Sequence, residues 1–238
     1  MALPEVVSRE EWLEARLRLL ALEKEQTRAR TVLNAQRRQM PMVRVAKAYT
    51  FDGPDGTATL GDLFEGRSQL IVQHVMFDTD WEKACPGCTA DGDVISEPLL
   101  AQIRSRDTAL AFVSIAPRAK LQAYKAARGW AVPWYSSAGS DFNHDFQATV
   151  DASQVYYNYQ DLSDKLDDGE CEEMPGRSCF LRDGGEIFHT YSVYARGGEP
   201  LIPAYAWLDM TAFGRSEDWE EPRGRARITH GADPTFTD

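Results

Sequence analysis

The chain changes its hydrophobic period near residue 41. Ahead of that point, "SREEWLEARLRLLALEKEQTRARTVLNAQRRQM" sets Leu13, Leu17 and Leu20 at helical spacing. Ser8 followed by Glu11 is a capping-box pattern. Glu10, Glu11 and Glu14 crowd the start while Arg28, Arg30, Arg37 and Arg38 come later, so the charges complement the helix dipole. Pro41 stops the run. The pattern predicts one long helix packed on its own domain, with an apolar stripe that also leaves a homodimer contact open.

From Arg44 the period shortens. "VRVAKAYTF" alternates like a strand, "DGPDG" is a turn, and "TLGDLF" predicts one turn of helix. "QLIVQHVMF" is mostly apolar from Leu70 to Phe77, the mark of a strand buried on both faces. A cysteine stretch follows at once, and "DVISEPLLAQIRSRD" predicts that its helix continues. "ALAFVSIA" is the next buried strand and "VPWYSS" a short one. Between them, "PRAKLQAYKAARG" has Pro117 near the first helical position and Gly129 just past the end. "SCFLRDGGEIFHTYSVY" predicts a hairpin turning on Asp183, Gly184 and Gly185, and "PLIPAYAWLDMTAF" a final helix.

Strands alternating with helices, then a hairpin and a helix, make an α/β domain. The expected divisions are a helical extension over residues 1–41, the α/β domain over 42–214 and a polar tail over 215–238. "DLSDKLDDGECEEMPG" carries seven acidic residues against one lysine and reads as a solvated loop.

Composition narrows the partners. With 238 residues, 43% of them apolar and 11% aromatic, the chain can bury a core of ordinary kind. A net charge of −11 argues against nucleic acid and anionic membrane, both of which repel such a surface. No run is long and apolar enough to cross a bilayer, and "MALPEVVSREEW" lacks the pattern of a secretory signal. The expected location is cytoplasmic, where thiols stay reduced. A close cysteine pair there is more often catalytic or metal-binding than a structural staple.

That pair lies in "DTDWEKACPGCTADGD", with Cys85 and Cys88 on either side of Pro86 and Gly87. Three readings are open: a redox couple, half of a zinc site, or two inert buried thiols. The redox reading follows from thiolate chemistry. A free cysteine loses its proton near pH ~8.5, and the N–H groups at a helix N-terminus stabilise the anion. Cys85 would attack from that terminus, and Cys88, one turn on, would resolve the mixed disulfide. Pro86 suits the first helical turn; Lys83 adds positive charge, and Glu82 acts against it. Zinc needs two further ligands, and Cys171 and Cys179 are eight positions apart rather than paired.

Several segments carry a family resemblance: "FDGPDGTATLGDLF", "DWEKACPGC", "GWAVPWYSSAGSDFNHDF", "FLRDGGEIFHTYSVYARG" and "LDMTAFGR". Together they resemble the thioredoxin-like superfamily, nearer its peroxiredoxin-type branch. More closely they resemble the bacterial thioredoxin-like family catalogued as domain of unknown function 899. The likeness spans roughly residues 40–215 and, more loosely, the N-terminal helix. It implies a central sheet flanked by helices, a long N-terminal helix and a redox pair at Cys85 and Cys88; it brings no established substrate. Thioredoxins place Gly-Pro between the cysteines and a Trp directly before the first. Here Pro-Gly lies between them and Ala84 before, with Trp81 one turn earlier. The peroxiredoxin Pro-x-x-x-Thr-x-x-Cys loop is missing, Thr79 lying six residues before Cys85. Thioredoxins also hold a cis-proline before the hairpin strand; here Pro175 is nearby, but Arg177 and Ser178 directly precede Cys179.

His189 in "EIFHTYS" would accept a proton or stabilise a thiolate if its strand neighbours the Cys85 strand. It would alternatively be a satisfied strand histidine, or join the cysteines at a copper site. His74 reads as structural. Trp134 and Tyr135 read equally as groove or core residues, and Phe142 and Phe146 as core. Ser140 and Asp141 are expected to cap the helix after them, and Arg196 to hold an anionic group. Phosphate-binding, dinucleotide-binding and zinc-protease motifs are missing.

The resulting expectation is a thiol–disulfide oxidoreductase with Cys85 and Cys88 catalytic. Trp81, Trp134, Tyr135, His189 and Arg196 would contact a protein or small-molecule thiol or disulfide. A cellular dithiol would restore the pair. No bound organic cofactor is required, since the sulfurs carry the electrons. The alternatives are a non-catalytic binding module and the handling of zinc or copper.

Overall fold

Ser8 opens helix α1, Arg9–Gln39, through a reciprocal capping box. Its Oγ accepts from the Glu11 N–H at 3.2 Å, and its own N–H donates to Glu11 Oε2 at 2.9 Å. The computed structural model describes residues 3–164, 172–217 and 219–224. Of these, residues 3–41, 208–217 and 219–224 form one unit, and residues 42–164 and 172–207 a second. Within the first, no residue of α1 is buried, and Leu13 and Leu17 are exposed. Leu20, the third residue of the apolar stripe read from the sequence, is half-buried. Among the described residues, no helix is long and apolar enough to cross a membrane.

The second unit is built on an eight-stranded mixed sheet. "VRVAKAYTF" is not one strand. It splits into β1, Val43–Arg44, and β2, Thr50–Gly53. Strand β3, Gly56–Thr59, pairs with β2, and a single 3-10 turn, Asp62–Phe64, follows where one helical turn was expected. Strand β4, Gln69–His74, leads to α2, Pro86–Asp93, and α3, Glu97–Arg104. The expected continuous helix is broken here for a local reason. Pro98 has no N–H to donate and its ring would strike the carbonyl of Val94, so a new helix starts after Ser96.

Strand β5, Thr108–Ser114, is followed by α4, Arg118–Arg128, which ends on Gly129 in the left-handed region at φ 68°. Strand β6 is Trp134–Ser136, and α5 is Phe142–Asp145. Asp141 precedes α5, but its side chain makes no capping bond and instead pairs with Lys47. Four two-residue strands come next: β7, Thr149–Val150; β8, Tyr156–Tyr157; β9, Gln160–Asp161; and β10, Glu172–Glu173. They pair as β7 with β10 and β8 with β9, outside the main sheet. The predicted acidic loop and polar tail lie partly outside the described residues, Cys171 among them.

The hairpin is β11, Gly176–Asp183, and β12, Glu186–Tyr194. Gly184 at φ 56° and Gly185 at φ 84° make the tight turn that the right-handed twist of the two strands favours. The final helix α6 covers only Pro203–Leu208, after a 3-10 segment at Ala195–Leu201.

The sheet order is β1-β12-β11-β4-β5-β6-β2-β3. Strands β4, β5 and β6 are parallel and β11 runs antiparallel beside β4. This is the thioredoxin-like arrangement: parallel strands joined by helices, with a late antiparallel hairpin at their side. Alternate residues of β4 and β5 feed two cores. Leu70, Val72, Ala109 and Ala111 join Leu63, Phe64, Phe142 and Phe180 on one face. Leu110 and Phe112 join Phe77, Leu100, Leu121 and Trp134 on the other. Burial on both faces explains why these strands read as unbroken apolar runs.

Candidate redox site

The chain leaves β4 at its C-terminal end and is held there by backbone bonds. Val75 N–H donates to Val113 O at 2.9 Å and Ala116 N–H to Phe77 O at 3.0 Å. Cys85 N–H then donates to Met76 O at 3.0 Å, which fixes Cys85 as the cap of α2, with Pro86 in the first turn. Cys85 is half-buried; Cys88, one turn on, is 6% exposed. Both are free thiols and their side chains are in hydrogen-bond contact. That bond, then burial, then the charge of Cys85 hold the Cys88 thiol well above the ordinary range, with Asp91 adding a smaller push. Cys88 is thus kept protonated beside its more exposed neighbour.

Cys85 lies in the walls of two clefts. The first, of about 570 Å³, is lined by Met76, Trp81, Lys83, Pro86, Tyr124 and Arg128. The second, of about 330 Å³, also contains Cys88, together with His74, Asp91, Pro175, Arg177 and Arg196. Asp91 and Arg177 form an ion pair with side chains 10% and 12% exposed, and Gln73 Nε2 donates to Asp91 Oδ2 at 2.8 Å. Burial pushes the Asp91 carboxyl up, against the opposing pull of Arg177 and Gln73. Gly198 leaves room for the Arg177 guanidinium, which any side chain there would strike. On β10, Glu173 is buried and, among the described residues, has no ion-pair partner. It accepts from Thr149 and from Asn143 Nδ2, the latter at 3.2 Å, and burial raises its pKa to about 8.

The expected contacts separate. Trp81 and Arg196 line the clefts, Arg196 also pairing with Glu199 at 2.8 Å. Trp134 does not: it is 0% exposed within the core, and its Nε1 donates to Ser114 Oγ at 3.0 Å. Tyr135 is likewise buried, in the opposite core, against the bare backbone of Gly53. His189 sits on β12, and β11 lies between that strand and β4, so the neighbour relation expected of it is not met. Among the described residues, no three His, Cys, Asp or Glu side chains are grouped to hold a metal, so the copper grouping of the cysteines with His189 is not formed. Cys179 is half-buried on β11 and lines neither cleft.

Sequence reasoning passed over Asp91 and Arg177 and took His74 as structural only. Asp91 had a signal, since three positions after Cys88 it must share that face of α2. Pro175 was misplaced because the hairpin strand starts at Gly176, two residues before the segment read as the hairpin. It therefore directly precedes the strand and lines the cysteine cleft.

A half-buried cysteine capping a helix after a buried strand, with a second cysteine in contact one turn on, defines a thioredoxin-like domain with a C-x-x-C pair. The chain belongs to the family described as bacterial protein of unknown function (DUF899), whose model matches residues 1–230. Solved structures similar to it include peroxiredoxin Q of Xanthomonas campestris, 16% identical, covering 73% of this chain and 98% of that one at a TM-score of 0.46. Peroxidoxin BcpB of Mycobacterium tuberculosis is 12% identical, covering 69% and 93% at a TM-score of 0.46. No curated protein matches the chain.

Proposed function

We propose that the protein is a thiol–disulfide oxidoreductase in which Cys85 attacks and Cys88 resolves. One observation carries this reading: two free thiols touch at a helix start, the outer one reachable from two clefts and the inner one buried and protonated. The Cys85 thiolate attacks one sulfur of a substrate disulfide, forming a mixed disulfide and expelling a thiolate. Cys88 then gives up its proton and attacks Cys85 Sγ. The bond to substrate breaks, the Cys85–Cys88 bond forms, and the second thiolate leaves. Two electrons pass to the substrate, and a cellular dithiol returns them to the protein. Trp81 and Arg196 are the substrate contacts in this scheme, one in each cleft.

The test uses glutathione disulfide. The Cys88→Ser variant accumulates a stable glutathione adduct at Cys85, while the wild type releases glutathione and closes its own disulfide. Absence of any adduct at Cys85 contradicts the proposal, as does a wild type that stays adducted.

A further inference from the structure

Helix α1 carries a second apolar seam, on a different face from Leu13, Leu17 and Leu20. Trp12, Ala15, Leu19, Leu22, Gln26, Ala29, Leu33 and Gln36 follow one another at alternating spacings of three and four. These are the a and d positions of a seven-residue repeat that runs through nearly the whole helix. Trp12, Leu19, Leu22 and Leu33 are 45%, 52%, 61% and 52% exposed, and Ala15 and Ala29 are exposed as well. The half-buried Leu20 lies at b, off this seam. A lone helix turns every 3.6 residues, so a strict seven-residue repeat keeps one seam aligned only when helices wind about each other.

The flanking charges say which helix fits. The g positions are Glu11, Arg18, Glu25 and Val32, and the e positions are Arg16, Glu23, Arg30 and Arg37. In two parallel helices in register, each g residue faces the e residue five positions on in the other helix. Glu11 then meets the partner's Arg16, Arg18 the partner's Glu23, and Glu25 the partner's Arg30. All three pairs are of opposite sign, and twofold symmetry forms each of them twice. Val32 beside the partner's Arg37 brings no like charges together. An antiparallel helix at full overlap would instead set Arg16 against the partner's Arg37 and Glu25 against the partner's Glu25. Within one chain Arg16 and Glu23, both on the e flank, pair with each other at 2.8 Å. The parallel arrangement exchanges that pair for two between helices. Gln26, at an a position, faces its own copy only in this register, as a polar residue in such a seam does when it fixes alignment.

We propose that α1 is a dimerisation helix that binds α1 of a second copy of this chain as a parallel, in-register coiled coil. The pattern of charges is complementary to itself, which makes the occupant another copy of the same helix. The proposal is independent of the redox reading of Cys85 and Cys88.

The test uses the full chain in analytical ultracentrifugation at concentrations up to about 0.1 mM. The wild type should sediment as a species of twice the chain mass of 26.7 kDa. Leu19→Glu combined with Leu22→Glu should raise the dimer dissociation constant about a hundredfold or more. Glu25→Arg alone should raise it about tenfold, because it sets two cations together at each of two symmetric places. Glu25→Arg combined with Arg30→Glu should restore the wild-type value, since positions 25 and 30 face each other only between parallel helices. No residue of α1 is buried, so none of these changes opens a core. A wild type that stays monomeric overturns the proposal, as does a dimer indifferent to Leu19→Glu with Leu22→Glu. A double charge reversal as weak as Glu25→Arg alone overturns the parallel pairing.

Discussion

The backbone N–H of Cys85 donates to the carbonyl oxygen of Met76 at 3.0 Å. Main-chain bonding therefore sets where the first sulfur sits, tied to Met76 two residues beyond the end of β4 and placed at the start of α2. Cys88 takes its place from the helix, one turn on. Their unequal exposure follows from that offset, as does the burial that helps raise the Cys88 pKa.

Alkylation should distinguish the two thiols. In reduced protein at pH 7, Cys85 is expected to react first. Cys88 should lag by about tenfold or more, because its proton is held by Cys85 and by burial. Peptide mass spectrometry against time measures both rates, and equal rates would contradict the site's description.

Asp91 and Arg177 are each other's main compensation for burial. Asp91→Asn leaves a guanidinium buried without its counter-charge and should destabilise the protein by about 3 kcal/mol in urea unfolding. It should also speed alkylation of Cys88, since one of the charges holding that thiol protonated is gone. Unchanged stability would show that the pair is not closed as described.

Glu173 gives stability a pH dependence of known sign. Its folded pKa of about 8 lies above the ordinary carboxyl value of 4.5, so between those limits the folded state holds a proton that the unfolded state has lost. Its contribution is therefore full below pH ~4.5 and falls by up to about 1.4 kcal/mol per pH unit until pH ~8. Glu173→Gln should remove that slope and gain on the wild type as pH rises from 5 to 8. Urea unfolding at both pH values tests it; parallel curves for the two proteins would refute it.

Trp81 and Trp134 should fail differently. Trp134→Ala empties a fully enclosed site and should cost about 3–5 kcal/mol of stability. Trp81→Ala, on a cleft wall, should leave the unfolding midpoint nearly unchanged and raise KM for the disulfide substrate. Unfolding curves and steady-state exchange kinetics separate the two outcomes.

Much of this was legible in the chain. The apolar run from Leu70, the adjoining C-x-x-C and the glycine turn at Gly184 and Gly185 are local signals, and each produced the element expected of it. Tertiary pairing decided the rest. Residues 43–51 alternate like one strand, yet Val43 pairs with His189 on β12, while Thr50 and Phe51 belong to β2, which pairs with β6, on opposite sides of the sheet. Asp91 meets Arg177 from 86 positions away, a distance over which no spacing rule operates. Trp134 lies on a short strand covered on both faces, where a core aromatic has the same local pattern as a groove residue. Gly176, Arg177 and Ser178 have little intrinsic strand preference, which hid both the start of β11 and the placement of Pro175.

The proposed function requires Cys85 and Cys88 to exchange electrons as one couple. Equilibrating the protein across a graded ratio of reduced to oxidised dithiothreitol, with mass spectrometry after acid quenching, measures this directly. A Cys85–Cys88 disulfide should form and disappear reversibly about a single midpoint, and Cys85→Ser should abolish the transition. Failure of that bond to form at any ratio would overturn the proposed redox function.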